Sequence, residues 1–303
     1  MQKSQLGSSN LFVSKLGLGC MSLGTNEKNA FPILEAALEE GINYFDTADL
    51  YDQGKNEQLL GRFFKNNREN IIIATKVGNK WEEGKNGWSW DASKAYIKEQ
   101  VKTSLKRLGT DYIDLYQLHG GTMKDPIEET IEAFEELKDE GVILYYGISS
   151  IRPNVIREYV KRSSIVSVMM QSSILDRRPE EEVLPLLAEN NISVVTRGPV
   201  AKGLLSPKYR DKLTEKGYLN YSGEELKEVL QTLEQKFLDK RTLTEAAVQY
   251  NLAQPAVASI IAGASSVEQL RANANAVNSA PLTAEELAFI QKVSKASVYE
   301  AHR

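Results

Sequence analysis

Cysteine is nearly absent from this 303-residue chain, Cys20 being the only one. A single thiol rules out an internal disulfide framework and any multi-cysteine zinc or iron-sulfur centre, and it fits a reducing compartment. Histidine is almost as scarce. Of His119 and His302, the second stands next to last, in a stretch expected to fray, so no histidine-built metal site is expected. No run of Lys and Arg reaches five and the formal charge is −4, which argues against nucleic acid as a partner, because such surfaces need clustered positive charge. No uncharged apolar run approaches the roughly 18 residues that span a bilayer. The opening MQKSQLGSSNLFV lacks the apolar region of a secretory signal, so the chain reads as cytoplasmic with no membrane partner. A linker rich in proline or serine is also missing. One domain over residues 1–303 is therefore expected.

What the chain does have is alternation. Apolar runs, most of them β-branched, read as buried strands: KLGLGC at 15–20, INYFDTA at 42–48, IIIATKV at 71–77, YIDLYQLH at 112–119, ILYYGIS at 143–149, IVSVMMQ at 165–171, ISVVTRG at 192–198 and VASIIAG at 257–263. Between them lie stretches of helical spacing, among them FPILEAALEE from Phe31, NEQLLGRFF from Asn56, a helix from Asp91, one from Asp125 with Asp125 as N-cap before Pro126, and one from Arg152. Eight such units fit a (β/α)8 barrel in the α/β class better than a doubly wound sheet with a second domain. Two segments break the repeat: 78–91, which holds Trp81, Trp88 and Trp90, and a tyrosine-bearing stretch at 206–223. Both follow strands and so belong at the barrel's C-terminal face. The tryptophans either pin a long loop or form a wall of the substrate pocket.

Four polar residues fall at or just past strand ends on that face: Asp46, Tyr51, Lys76 and His119. Strand-end side chains share one basin, whereas charges on helix surfaces point into water. A charge closing an apolar run is costly unless paired, so Asp46 and Lys76 are expected to form an ion pair. A tyrosine beside a lysine held by an aspartate is a phenol disposed to exchange a proton near neutral pH, and a neighbouring histidine can orient a carbonyl oxygen. Together they suggest carbonyl reduction.

GLGCMSLG at 17–24, FDTADLYDQGKNEQLLG at 45–61, TKVG at 75–78, DYIDLYQLHG at 111–120, GISS at 147–150 and IIAGASSVEQLRAN at 260–273 resemble the ordered signatures of the aldo-keto reductases, and the resemblance runs over essentially the whole chain. It implies an NADP(H)-binding (β/α)8 barrel of the bacterial NADPH-dependent kind, with Asp46, Tyr51, Lys76 and His119 as its catalytic four and no metal. It also implies that Ser149 and Ser150 meet the nicotinamide carboxamide. Either Gln171 or Met169, two residues apart on one strand face, makes the remaining contact there. Arg197 occupies the place where relatives stack an aromatic ring under the nicotinamide, and a guanidinium plane can stack likewise. Met21, Gly198 and Pro199 fall along the cofactor, and Lys202, Leu204 and Ser206 resemble the loop that closes over the pyrophosphate. Gly263, Ser265, Gln269 and Asn273 match the segment that holds the adenosine 2′-phosphate, with Arg271 as the local basic residue. NADPH is therefore expected over NADH, which remains a weaker possibility.

A Rossmann dehydrogenase is the enzymatic rival, but its fingerprint wants a third glycine where Ser22 stands, and a helix directly after it. A nucleotide-binding, redox-sensing subunit with little turnover is the non-catalytic rival, against which the four residues argue. The expected partner is a small aldehyde, ketone or dicarbonyl, with monomer as the default assembly.

Overall fold

The computed structural model describes residues 1–82, 84 and 87–303. Eight parallel strands close a barrel in the order of the chain: β1 (Leu16–Gly19), β2 (Tyr44–Asp46), β3 (Ile72–Val77), β4 (Ile113–Leu118), β5 (Ile143–Ser149), β6 (Ser167–Gln171), β7 (Ser193–Arg197) and β8 (Val257–Gly263). All eight sequence-read strands are present, β5 and β8 with the expected bounds and the other six trimmed by one or two residues at one or both ends. The open-sheet rival falls with the closure, since β8 pairs with β1 and β5 with β6. The strands read as apolar without interruption because both faces are buried. Tyr44, Ile72, Ala74, Leu115, Met169, Val195 and Ile261 fill the interior. Their neighbours Phe45, Ile73, Tyr116, Val168 and Val194 pack outward against the helices.

The helices are α1 (Glu27–Glu39), α2 (Lys55–Phe64), α3 (Lys94–Leu108), α4 (Ile127–Asp139), α5 (Pro153–Arg162), α6 (Val183–Glu189), α7 (Gly223–Phe237), α8 (Leu243–Leu252), α9 (Val267–Asn278) and α10 (Ala284–Val293). Four local readings are corrected. The first helix begins at Glu27, capped by Asn26, and runs through Pro32, which hid its first turn. The expected N-cap Asp125 does not cap α4. Its carboxylate accepts instead from the Thr122 amide and hydroxyl and from Trp90 Nε1, leaving Pro126 at the cap position. The sequence reading omitted α10, although Thr283 and Glu286 form the reciprocal capping box that marks a helix start. It also omitted the N-terminal hairpin (Lys3–Gln5 with Phe12–Ser14), which delivers Leu6, Leu11 and Val13 to the interior cluster.

The stretch 206–223 is anchored by packing. Tyr209 and Tyr221 are buried with Leu226, Leu230 and Phe237 of α7 in a second apolar cluster that also takes in α8 and α10. No helix among the described residues is long and apolar enough to cross a membrane.

One buried side chain ties three of these elements together. Asn56 on α2 is fully buried; its Nδ2 donates to the Cys20 carbonyl at 2.8 Å, and its Oδ1 accepts from Thr47 Oγ1 at 2.7 Å. Asn56→Leu leaves both partners buried and unpaired, each at about 1–3 kcal/mol. The expected loss of unfolding free energy is about 2–5 kcal/mol, read from urea midpoints at unchanged slope; a loss under about 1 kcal/mol contradicts it.

Candidate active site

The barrel register sets the geometry of the mouth. Asp46 ends β2 opposite Ala74, and Lys76 lies two residues beyond Ala74 on β3, opposite Gln117 of β4. The spacing of two puts Lys76 on the same inward face, one pleat nearer the mouth. Lys76 is 1% exposed and Asp46 3%, and the expected ion pair is present: Nζ donates to Asp46 Oδ1 at 2.6 Å. It also donates to the Thr47 carbonyl at 2.8 Å and to the Tyr51 phenol oxygen at 3.4 Å. An ammonium has three hydrogens, so all three are committed, and the phenol's own hydrogen is left free to point elsewhere. Gln117 Nε2 donates to Asp46 Oδ2 at 3.4 Å. Burial works against the ammonium, but Asp46 and Tyr51 outweigh it and hold the Lys76 pKa above the ordinary lysine range.

Tyr51 is presented by a strained turn. Asp52 and Gln53, directly after it, both hold positive φ of 48° and 55°, a conformation that non-glycine residues keep only where surrounding contacts impose it. Those contacts exist. Gly54 lies against the Arg107 guanidinium, and the Asp49 amide donates to the Lys76 carbonyl at 3.2 Å. The Asp49 carbonyl accepts from Trp81 Nε1 at 3.0 Å, with Arg107 over the indole at 5.3 Å. Burial, then the nearby Glu57, pushes the Asp49 carboxyl well above the usual range.

His119 follows β4 and its amide donates to the Val77 carbonyl at 2.7 Å. Its ring meets Tyr51 edge-on, with centroids 6.0 Å apart. It lines a cavity of about 350 Å³ together with Asn79, Trp88, Trp90, Ser149, Ser150, Arg152, Met169 and Arg197. The tryptophan segment thus divides. Trp88 and Trp90 are wall, held by a short ladder of Asn79–Lys80 with Ser89–Trp90, and Trp90 packs over Gly78 and Gly120 where a β-carbon would collide. Trp81 turns instead toward Asp49 and is no part of that wall. Burial first, then Lys76 and Arg197, pushes the His119 pKa down to about 3, and its Nδ1 is buried without a partner.

The residues expected to hold a cofactor fall along the adjoining strand ends. Met169, not Gln171, reaches the cavity beside Ser149 and Ser150. Gln171 is engaged one pleat higher, donating to Asp176 at 2.9 Å and to the Tyr218 phenol at 3.2 Å and accepting from Arg197 at 3.2 Å. Gly198 and Pro199 lead from β7 into a turn where Ala201 and Lys202 hold positive φ. The Lys202 ammonium has no partner among the described residues, and Ser206 Oγ closes the turn on the Gly203 carbonyl at 2.7 Å, with Leu204 buried beneath. Met21 is exposed beside Ser22, whose hydroxyl bonds Ala264 just past β8. Ahead of α9, the amide and hydroxyl of Ser265 both donate to Gln269 Oε1, at 2.9 and 3.1 Å, and Asn273 Nδ2 donates to the Gly263 carbonyl at 3.2 Å. An acceptor oxygen on the donors at a helix start is the arrangement a phosphate would take. Arg271 is the correction here. Its guanidinium pairs with Glu39 at 3.1 Å and lies 3.8 Å from Glu40, so it is spent on the end of α1.

Comparisons with known proteins identify the family. The sequence model of the aldo/keto reductase family matches residues 15–295, and the chain belongs to that family. It is an oxidoreductase of the kind that works on carbonyls with a nicotinamide cofactor. An uncharacterized oxidoreductase, YqkF of Bacillus subtilis, is 61% identical over all of both chains. The NADH-specific methylglyoxal reductase of Escherichia coli is 33% identical over 92% of this chain and 94% of its own. Among solved structures, the aldo-keto reductase AKR11C1 from Bacillus halodurans in its holo form is 63% identical and superposes with a TM-score of 0.95 over 100% of this chain and 99% of that one.

Asn79, Thr122 and Arg152, also in the cavity wall, were not singled out from the sequence. Their signal was position alone, since each follows a barrel strand.

The depressed His119 pKa has a direct check. In a His302→Ala chain His119 is the only imidazole, and its nuclear magnetic resonance signals are expected to stay unchanged from pH 8 to pH 5. A titration midpoint between 6 and 7 contradicts the burial and charge arguments together.

Proposed function

We propose that the chain reduces the carbonyl of a small aldehyde, ketone or dicarbonyl to an alcohol, with NADPH as preferred donor, Tyr51 as proton donor and His119 as the group that orients the carbonyl. When bound, the nicotinamide cofactor supplies the hydride. The carrying observation is the full commitment of the Lys76 ammonium: with all three hydrogens spent on Asp46, Thr47 and Tyr51, the phenol accepts from the lysine and donates its own hydrogen outward. As the alcohol oxygen takes that proton, charge grows on the phenol oxygen 3.4 Å from a fixed ammonium, where electrostatic stabilisation requires no reorganisation. His119 remains neutral at working pH and so acts as a hydrogen-bond donor rather than an acid.

Ser149, Ser150 and Met169 would bound the nicotinamide, with Arg197 against its ring. Lys202 supplies a free cation for the pyrophosphate, and the donors ahead of α9 suit a 2′-phosphate. With Arg271 turned away, that preference is carried by neutral donors alone. It is therefore narrow, in keeping with an NADH-specific relative at 33% identity. The same relative's methylglyoxal supports a small dicarbonyl among the substrates.

The test follows nicotinamide absorbance with a panel of aldehydes, ketones and dicarbonyls. NADPH is expected to exceed NADH in kcat/KM by less than about a hundredfold. Tyr51→Phe is expected to lower kcat by at least about a hundredfold, while nucleotide affinity stays within a factor of two. Full activity in Tyr51→Phe removes the proton-donor role, and nucleotide binding with no turnover on any panel member favours a redox-sensing role instead.

A further inference from the structure

Arginine in this protein is almost always neutralised. Arg62, Arg68, Arg107, Arg157, Arg162, Arg177, Arg178, Arg210, Arg241, Arg271 and Arg303 each make an ion pair with an Asp or Glu. Among the described residues Arg152 and Arg197 do not, and both line the cavity that His119 lines, a cavity without an Asp or Glu in its wall. In a chain of net charge −4 this concentrates uncompensated positive charge at one concave place, where it attracts anions. After burial and Lys76, Arg197 is also among the causes that push the His119 pKa down.

The two guanidiniums have different settings. Arg197 ends β7 and donates to Gln171, on the side assigned above to the nicotinamide. Arg152 follows β5, and its backbone is fixed on both sides: its amide donates to Ser150 Oγ at 3.2 Å, and Pro153 opens α5 directly after it. One guanidinium nitrogen donates to the Gly121 carbonyl, leaving most of its five N–H groups free. Arg152 also borders a second cavity of about 790 Å³, formed with Ile151, Leu219, Val298 and the C-terminal tail. The residue thus borders both cavities, with its head tethered to the Gly121 carbonyl.

We propose that Arg152 is a specificity-determining residue, and that the carbonyl compounds this site prefers carry a carboxylate, which the guanidinium fork receives through paired hydrogen bonds. The proposal rests on the carbonyl-reduction reading and names its substrate class. Substrates without the anion leave a desolvated guanidinium unpaired and bind less well.

The test compares 4-carboxybenzaldehyde with its methyl ester, and 4-oxobutanoate with butanal, in the intact chain and in Arg152→Met and Arg152→Lys. The carboxylates are expected to lead in kcat/KM by about ten- to hundredfold, chiefly through KM. Arg152→Met is expected to erase most of that ratio, and Arg152→Lys to retain part of it, because a lysine keeps the charge without the planar fork. Quenching of tryptophan fluorescence by benzoate, with benzamide as the neutral control, reads the same site without turnover; benzoate affinity is expected to fall about tenfold in Arg152→Met while benzamide affinity holds. Esters reduced as well as acids, or a ratio that survives Arg152→Met, overturns the proposal and leaves the reductase standing. If no aldehyde turns over while benzoate still binds through Arg152, the reductase reading fails and the anion site remains. Benzoate binding no better than benzamide removes the anion site itself.

Discussion

A lysine ammonium with 1% exposure is tolerable only if the surroundings answer its charge and all of its hydrogens, and much of this active site is arranged by that requirement. Isolated burial of such a charge costs several kcal/mol, and a well-built partner set recovers it. Here the answer comes from one carboxylate, one backbone carbonyl and one phenol, drawn from the end of β2 and the turn that follows it. Satisfying Lys76 therefore fixes where Tyr51 stands. The left-handed residues after Tyr51, the Arg107 clamp on Gly54 and the Trp81 bond to Asp49 can be understood as the support that keeps the turn in reach.

The barrel supplies the other half of that constraint. Parallel strands with both faces buried leave few positions where a polar side chain can exist, and the C-terminal rim is the main one. Asp46, Lys76 and His119 occupy it from three consecutive strands. A neutral His119 follows from the same crowding, because it shares a poorly solvated basin with Lys76 and Arg197.

Much of this was legible in the chain. The eight strands announced themselves as apolar runs because each is buried on two sides, and Asp46 and Lys76 stood out as charges that such runs do not otherwise admit. What escaped has physical causes. Asp125 looks like a helix cap by its place before Pro126, but the carboxylate gains more from Thr122 and Trp90, a partner 35 residues away that local sequence does not show. Arg271 looks like a phosphate ligand by position along α9, yet Glu39 and Glu40 claim it from the far end of the chain. Arg152 carried no motif. Its meaning lies in lacking a carboxylate partner that nearly all the other arginines have, and a missing partner becomes visible only in three dimensions.

The claim on which the account depends is that Asp46 acts through Lys76, and Lys76 on the phenol, as one unit. A double-mutant cycle in kcat/KM with Asp46→Asn, Lys76→Met and the pair together tests this most directly. The account predicts that the double variant is scarcely worse than the Lys76→Met variant alone, a coupling of about 2 kcal/mol or more. Losses that simply multiply would show two independent contributions and contradict it.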